Sequence, residues 1–417
     1  MEKLDFVILA AGKGERLWPI TNHIPKTMVR ILGKPLLEWI VERIYDRANR
    51  IVVVVGFKKE AVVEHFSKSR YADKVVFVTQ DAQEGTAHAL LQAKPKVDGN
   101  FIAINGDNFF DPRELDRIVG LADKGEWFLV CKKVEDKSSY GEIVSDGGFL
   151  KKIIEKPQEK KPGFANTNFA FLPKEFFSFL SGVKRSQRGE LEFTDAITSF
   201  AEKNEVRVVE FDGYWNGVGY FWNYLDVSEF ACNNLLDDNR EGTIELGVVI
   251  KGKLHLGKGS VIRAPARIEG PVYVGENSIV GPNSFLRKGA VVENDCHVGS
   301  SELKNSILMS NSNAPHFNYV GDSVICEDVN LGAGTITANL RFDNQIVFSK
   351  IKGKTVFSGK RKLGCVIGSG TKVGINVSIT CGMIIGSDCK IYPRIFVKEN
   401  VPDGTSLQEV IVHTSSQ

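Results

Sequence analysis

Two stretches of this sequence hold residue types that could do chemistry on phosphates and amines. The first is residues 9–19, LAAGKGERLWP, with Pro25-Lys26 following. Small residues directly after a strand-like run let the backbone approach a phosphate closely, and Arg16 and Lys26 add positive charge. A dinucleotide fingerprint would need glycine at 17, where leucine stands, and the Walker pattern GxxxxGK[ST] is absent. Further along lie QDAQEGTAHAL (80–90), NGDNFF (105–110), YGEIV (140–144) and EKP (155–157). The second stretch is APHFNYVGD (314–322) followed by VNLGAGTITAN (329–339). It carries His316, a side chain whose ordinary pKa suits a general base near neutral pH.

The elements that must position these residues differ between the two halves. Phe6–Ala10, Ile51–Val55, Val75–Thr79 and Phe101–Asn105 are short apolar, strand-like runs, and Leu36–Ala48 between them repeats apolar residues every three to four positions. This alternation predicts an α/β doubly wound (Rossmann-like), mostly parallel sheet, with ligands at the carboxyl ends of its strands, after Ala10, Thr79 and Asn105. After about residue 245 the helical period vanishes. Aliphatic residues recur every sixth position from Ile250 through Leu256, Ile262, Ile268, Val274, Val280, Leu286, Val292 and Val298. The spacing returns from Ile367 to Val397. A six-residue repeat predicts a parallel β-helix whose coils bury their faces only against neighbouring coils. Residues 299–366 break the register, and His316 lies inside the break. The expected division is 1–230, a linker helix at 231–245, a β-helix over 246–405 and a tail at 406–417.

Bulk properties exclude several partners. A net charge of +2 over 417 residues gives no basic stripe for nucleic acid, and no apolar run reaches the length of a membrane span. MEKLDFVILAAG enters a strand with no small-residue cleavage site, so no signal peptide is expected. Seven scattered cysteines without CxxC suit free thiols in a reducing cytoplasm.

The ordered set of motifs in the first half resembles the sugar-1-phosphate nucleotidyltransferase family. The resemblance implies that a sugar 1-phosphate attacks the α-phosphate of UTP or dTTP and that pyrophosphate leaves. A phosphate monoester has a second pKa of about 6, so the nucleophile needs no base, and the task is to align two polyanions. Arg16 and Lys26 would then grip the triphosphate and Asp107 a Mg2+ ion. Leu9, Ala11, Gly12, Gln80, Gly85 and Thr86 would meet the nucleotide. An amide such as that of Gln80 can accept from N3–H and donate to O4 of uracil or thymine. Gly141, Glu155 and Asn166 would hold the sugar and Lys156 its phosphate. Thr86 opens a helix and is equally suited to capping it.

The second half resembles the acetyltransferase half of the bifunctional N-acetylglucosamine-1-phosphate uridylyltransferases, through H-x-x-Y-x-G-D and the V-N-[IL]-G-A-G-T-I-T-x-N run. That implies a left-handed parallel β-helix of hexapeptide repeats, a homotrimer, and acetyl transfer from acetyl-CoA to glucosamine or galactosamine 1-phosphate. An ammonium has no lone pair, so attack on a thioester needs a base, and His316 is the expected one. Arg287 and Lys304 would take the sugar phosphate, while Glu302, Tyr319, Asn330 and Asn339 would orient the sugar.

Two positions depart from the family pattern. Its W-x-D-[IV]-G reads Trp215-Asn216-Gly217-Val218-Gly219, with Asn216, Asn223 and Asp226 as the neighbouring oxygen donors, and its N-x-G reads Asn166-Thr167-Asn168. The chain also carries a long insertion after Asn339 that resembles archaeal forms, ending in Lys360-Arg361-Lys362, a run suited either to CoA phosphates or to solvent. The readings left open are a bifunctional enzyme, an acetyltransferase with a weakened first domain, and a non-catalytic assembly or regulatory subunit.

Overall fold

The computed structural model describes residues 3–186 and 188–408. Backbone contacts divide the chain into one unit running to Lys13 with Ile24–Arg30 and Lys34–Gly217, and a second of Gly14–His23, Ile31–Gly33 and Val218 onwards.

The first unit is built on a nine-stranded sheet. Strands Val75–Thr79, Ala48–Val55, Leu4–Ala10 and Phe101–Asn105 lie side by side in that order, all parallel. Successive residues of these strands face opposite sides, and both sides are covered. Phe6, Ile8, Ile51 and Val53 pack with Leu37, Ile40, Ile44, Phe66 and Ile118 of helices Leu36–Ile44, Lys59–Ser67 and Pro112–Gly120. Val7, Val52, Val54 and Ala103 pack with Leu90, Phe176 and Ile197 on the other side. This two-sided burial is why the strands read as unbroken apolar runs. Beyond Phe101–Asn105 the sheet is mixed: Gly163–Leu172 runs antiparallel to its neighbours, and Gly141–Asp146 forms a hairpin with Phe149–Glu155. The mostly parallel expectation therefore holds for the first four strands. The chain winds outward from Leu4–Ala10 to Val75–Thr79, then returns to the opposite side of Leu4–Ala10. That reversal places the loops after Ala10 and Asn105 next to each other at the carboxyl ends.

In the second unit every ladder of the coils is parallel. Leu256 pairs with Val274 and Val274 with Val292, 18 residues apart, so three six-residue steps make one coil. Leu256, Ile262, Ile268, Val274, Val280, Leu286, Val292 and Val298 are all buried in one continuous interior, which runs on through Ile367, Val373, Ile379, Ile385, Ile391 and Val397. One corner recurs in left-handed backbone, with Gly259, Asn277, Asp295, Asn311, Asp328, Gly370 and Asp388 at φ between 54° and 77°. Asn and Asp tolerate that region better than other side chains, which explains their choice outside glycine. Buried hydroxyls close the remaining backbone groups: Ser260 Oγ donates to the Gly275 carbonyl (2.6 Å) and accepts from the Ser278 amide (2.8 Å).

The break in register at 299–366 has two sources. Val292 pairs with Leu308 and Leu308 with Ile325, so two coils are shorter than 18 residues. Ile325 then pairs with Ile367, 42 residues on, which leaves an insertion of 24 beyond one coil. It carries a hairpin of Phe348–Ile351 and Lys354–Phe357. The expected linker is corrected. The connecting helix spans Phe221–Asn234, and Asn239–Arg240 and Thr243–Ile244 already pair with the first full coil. Ile244 keeps the six-residue spacing ahead of Ile250, but the position six before it is Asp238, so the series has no aliphatic start in the first of these strands. At the other end Ser406–Leu407 pairs with Lys390–Ile391, so the β-helix extends past 405; the rest of the expected tail, from 409, lies outside the described residues.

Candidate functional sites

In the first unit the loop after Leu4–Ala10 is held by its carbonyls. The Gly106 amide donates to Leu9 (2.9 Å), and Ala11 accepts from the Phe57 amide (3.2 Å) and from Gln83 Nε2 (2.7 Å). A Cβ at Gly106 would stand about 3.0 Å from the Ile8 side chain and 3.1 Å from the Leu9 carbonyl, so any larger residue would push the two loops apart. Gly12 faces open space. Lys26, buried at 9% exposure, has its Nζ 2.6 Å from Asp107 Oδ2. Gln80 is buried and its Nε2 lies 3.1 Å from both the Gly85 carbonyl and His88 Nδ1. Its donor is thus committed to the loop and Oε1 remains as an acceptor, which narrows the expected two-way reading of a pyrimidine edge. Gly85 has φ of 120°, and a Cβ there would come within 2.6 Å of the Leu191 backbone. Thr86 Oγ1 accepts from the Phe193 amide (2.9 Å), tying down a neighbouring helix instead of capping its own.

The expected sugar contacts converge. A Cβ on Gly141 would be 3.0 Å from Glu155 Oε2 and 3.6 Å from Asn166 Cβ, so the three enclose one spot. Lys156 follows Glu155 in left-handed backbone (φ 46°). Asn168, where the family pattern has glycine, also has φ of 54° and exchanges hydrogen bonds with Asn166, N–H to Oδ1 at 2.9 Å and Nδ2 to Oδ1 at 2.6 Å. The substitution keeps the backbone that glycine would provide. Arg188, which the sequence reading passed over, places Nη1 3.4 Å from Glu155 Oε1 and Nη2 2.6 Å from Glu192. It lies on the segment whose Leu191 abuts Gly85, so one short stretch borders both the Gly85 loop and Glu155.

Burial raises the Glu155 carboxyl above the ordinary range, with the Arg188 charge opposing. A raised folded-state pKa means that the folded chain holds this proton more tightly than the unfolded chain. Stability contributed by the group is present below the ordinary Glu value of about 4.3 and is lost as pH rises through the raised value. Glu155→Gln is therefore expected to be more stable than the parent at neutral pH, with the difference vanishing toward pH 4, as measured by denaturant titration across pH.

Position 217 lies opposite Asn108 in a short antiparallel pair. A Cβ at Gly217 would stand 2.9 Å from Asn108 Oδ1, so the Asn108 amide occupies the space into which a side chain at 217 would project. Asn108 is buried, and its Nδ2 donates to the Thr167 carbonyl (3.1 Å). Of the oxygen donors that follow in sequence, Asn216 donates through Nδ2 to the Tyr214 hydroxyl (3.3 Å), Asn223 Oδ1 accepts from the Tyr220 amide (3.0 Å), and Asp226 pairs with Lys360 of the insertion. Among the described residues no group of three or more His, Cys, Asp or Glu side chains gathers for a metal. Asp107 alone fits the habit of Mg2+, which takes one or two protein carboxylates and fills its shell with water and phosphate. Arg16 belongs to the second unit and lies over the Tyr220 ring at 5.1 Å.

In the second unit the long strands His297–Lys304 and Asn313–Gly321 pair side by side, with Ser300 opposite His316 and Glu302 opposite Tyr319. Arg287 Nη1 meets Glu302 Oε1 at 2.8 Å. Lys304 Nζ lies 2.9 Å from both Asp322 oxygens, and Asn339 Nδ2 donates to Asp322 Oδ2 (2.6 Å) and Tyr319 Oη (3.2 Å). Lys304, Tyr319 and Asn339 thus form one network around the buried Asp322, and the Arg287–Glu302 pair stands beside it through the ladder position that Glu302 shares with Tyr319. Asn330 stands apart in the column of Asn313 and Lys372. The exposed His316 is pinned through its backbone: its amide donates to Oδ1 of the buried Asn318 (3.2 Å), whose Nδ2 donates to the Gly332 carbonyl (2.7 Å). Asp322 and Asn318 were visible as letters of the motif, but nothing in the letters separates a residue that touches a ligand from one that holds the strand. Asp322→Ala would leave Lys304 partly buried without its partner, an expected loss of about 3 kcal/mol, read from the denaturation midpoint.

Comparison with known proteins agrees in both halves. Residues 6–234 match the nucleotidyl transferase family. A bifunctional sugar-1-phosphate nucleotidylyltransferase/acetyltransferase of Sulfurisphaera tokodaii is 41% identical over 401 residues, covering 95% of this chain and 98% of the relative. A bifunctional GlmU protein of Methanocaldococcus jannaschii is 38% identical, covering 96% and 97%. Among solved structures, a UDP-glucose pyrophosphorylase with bound UDP-glucose superposes with a TM-score of 0.51 at 25% identity, over 55% of this chain and 98% of that one.

Proposed function

We propose, for a chain that belongs to the family of bifunctional sugar-1-phosphate nucleotidylyltransferase/acetyltransferases, the division of labour that follows. The second unit acetylates glucosamine or galactosamine 1-phosphate from acetyl-CoA, and the first couples a sugar 1-phosphate to UTP or dTTP with release of pyrophosphate. The observation that carries this reading is the convergence, in each unit separately, of side chains far apart in sequence on one small site.

In the first unit Glu155, Gly141 and Asn166 hold the sugar and Lys156 its phosphate. Lys26 draws in the triphosphate, and Gln80 Oε1 accepts from a pyrimidine N3–H. Asp107 would hold Mg2+, which neutralises phosphate charge when bound. The sugar-phosphate oxygen forms a bond to the α-phosphorus, the bond to the bridging oxygen breaks, and its electron pair leaves with pyrophosphate. No proton moves. In the second unit Arg287 and Lys304 exchange part of their hold on Glu302 and Asp322 for the sugar phosphate. His316 takes a proton from the amine as nitrogen attacks the thioester carbon. The C–S bond then breaks, and the imidazolium returns the proton to the departing thiolate.

A cytoplasmic setting suits these substrates, and no helix among the described residues is long and apolar enough to cross a membrane. A homotrimer through the β-helix is supported by Ile336, Ile375, Tyr392 and Phe396, apolar side chains exposed on successive coils. The test is a product profile: acetyl-CoA with each amino-sugar phosphate, and UTP or dTTP with glucose and N-acetylglucosamine 1-phosphates, with and without Mg2+. Failure to release CoA in every combination, or pyrophosphate in every combination, overturns the corresponding half.

A further inference from the structure

Phe317 departs from the glycine, asparagine and aspartate that hold most left-handed corners of the β-helix, as Arg394 in its own column also does. Its column continues as Gly334, Asn376 and Arg394 on the next coils: the Gly334 amide donates to the His316 carbonyl, Asn376 to Ala333 and Arg394 to Ile375. All four residues have positive φ, 52° for Phe317 and 74°, 56° and 65° for the others. Glycine and asparagine suit that conformation and a bulky aromatic residue does not. Phe317 gains nothing from burial in return, for it is 74% exposed. The chain thus holds an apolar ring in strained backbone, out in solvent, at the residue after His316. Strain kept without a packing reward points to use by a ligand or partner.

We infer that Phe317 is a donor-binding residue, its ring packing against the apolar carbons beside the thioester of the acyl donor. The inference rests on the acetyl-transfer reading. If His316 relays the proton of the attacking amine, the thioester carbon must lie within a few ångströms of the imidazole, and the flanking pantetheine carbons must lie beside it. The left-handed backbone swings the adjacent side chain outward toward that place. Gly334, which follows Phe317 in the column, has no side chain to compete for the space. Exposed Ile336, Ile375, Tyr392 and Phe396 flank the column on the following coils, so a subunit contact is the competing assignment for the ring, and oligomer size separates the two.

The test compares Phe317→Gly, Phe317→Asn and Phe317→Leu in the full chain. Calorimetric binding of CoA and of acetyl-CoA is expected to weaken about tenfold in the Gly and Asn variants, roughly the loss of one apolar side-chain contact, and to recover in Leu. Thermal midpoints should stay level or rise in Gly and Asn, because the strain is relieved. KM for the amino-sugar phosphate and the rate of pyrophosphate release should not move. Unchanged CoA affinity in all three variants overturns the inference. So does a fall in oligomer size by light scattering in Gly and Asn, which would assign the ring to a subunit contact. Parent protein that binds CoA but acetylates no amino-sugar phosphate would instead fail the acetyl-transfer reading, leaving the binding comparison to judge Phe317 by itself.

Discussion

His316→Ala is expected to lower the rate of acetyl transfer by about 10³-fold at neutral pH, the range of a lost general base. The substrate amine is partly protonated there, and without the imidazole the reaction depends on the fraction that is already free. The residual activity of the variant should therefore climb with pH further than that of the parent, so the deficit narrows in alkaline buffer. His316 is exposed, and its main-chain bonds to Asn318 and Gly334 do not involve the ring, so folding should be unaffected. Pyrophosphate release from the other unit is the internal control. Acetyl transfer at the parent rate would remove His316 from the mechanism.

His297 offers a contrast within the same unit. It sits one coil below Asn313, partly buried, and burial first, then the His316 and Arg263 charges, holds its imidazole below the ordinary value. A depressed histidine favours the folded state only when neutral. Its contribution is present above the ordinary value of about 6.5 and is lost as pH falls from there through the lowered folded-state value. An acid-side loss of stability that disappears in His297→Gln, followed by thermal unfolding from pH 5 to 8, would identify this group.

The six-residue spacing was legible because each coil buries one aliphatic side chain per side, and burial selects residue type. Leu256, Val274 and Val292 read as a series for the reason that they stack. The shortened coils between Val292 and Ile325 were not legible. A coil that loses one or two residues at a corner keeps its interior but moves the next aliphatic out of phase, so a change in loop length reads as an end of the pattern. At the first site Gly85 was legible, since its φ of 120° and its approach to the Leu191 backbone leave no room for a Cβ, and Gly106 marks a second tight approach. Arg188 was not, because an arginine in an exposed turn is common and only the fold sets it against Glu155. Thr86 does not cap its own helix, since Gly85 holds the N-cap position and the Thr86 hydroxyl accepts from an amide more than a hundred residues on. Phe317 escaped notice because its peculiarity is a backbone angle, which residue type does not reveal.

Asp107→Asn is expected to reduce nucleotidyl transfer by about 10³-fold while leaving acetyl transfer intact, the size of effect seen when a charge-stabilising group is taken from a phosphoryl-type transition state. Asparagine keeps an oxygen near Lys26 Nζ, so the fold survives while the charge that would hold Mg2+ is gone. Position 217 sharpens the argument. If Asp107 holds the ion, the aspartate that the family pattern carries at 217 and this chain lacks would be a second ligand, and a single carboxylate should demand more free Mg2+ for half-maximal rate. Gly217→Asp does not simply restore the pair, for its Cβ would press on Asn108 Oδ1, and crowding of this kind costs about 1–3 kcal/mol. Asn108→Ala combined with Gly217→Asp clears the space. The double variant should therefore be more stable than Gly217→Asp alone and reach half-maximal pyrophosphate release at lower Mg2+ than the parent. If its Mg2+ requirement equals the parent's while Asp107→Asn is inactive, position 217 lies outside the reach of the ion, and Asp107 with the substrate phosphates makes up the whole charged shell.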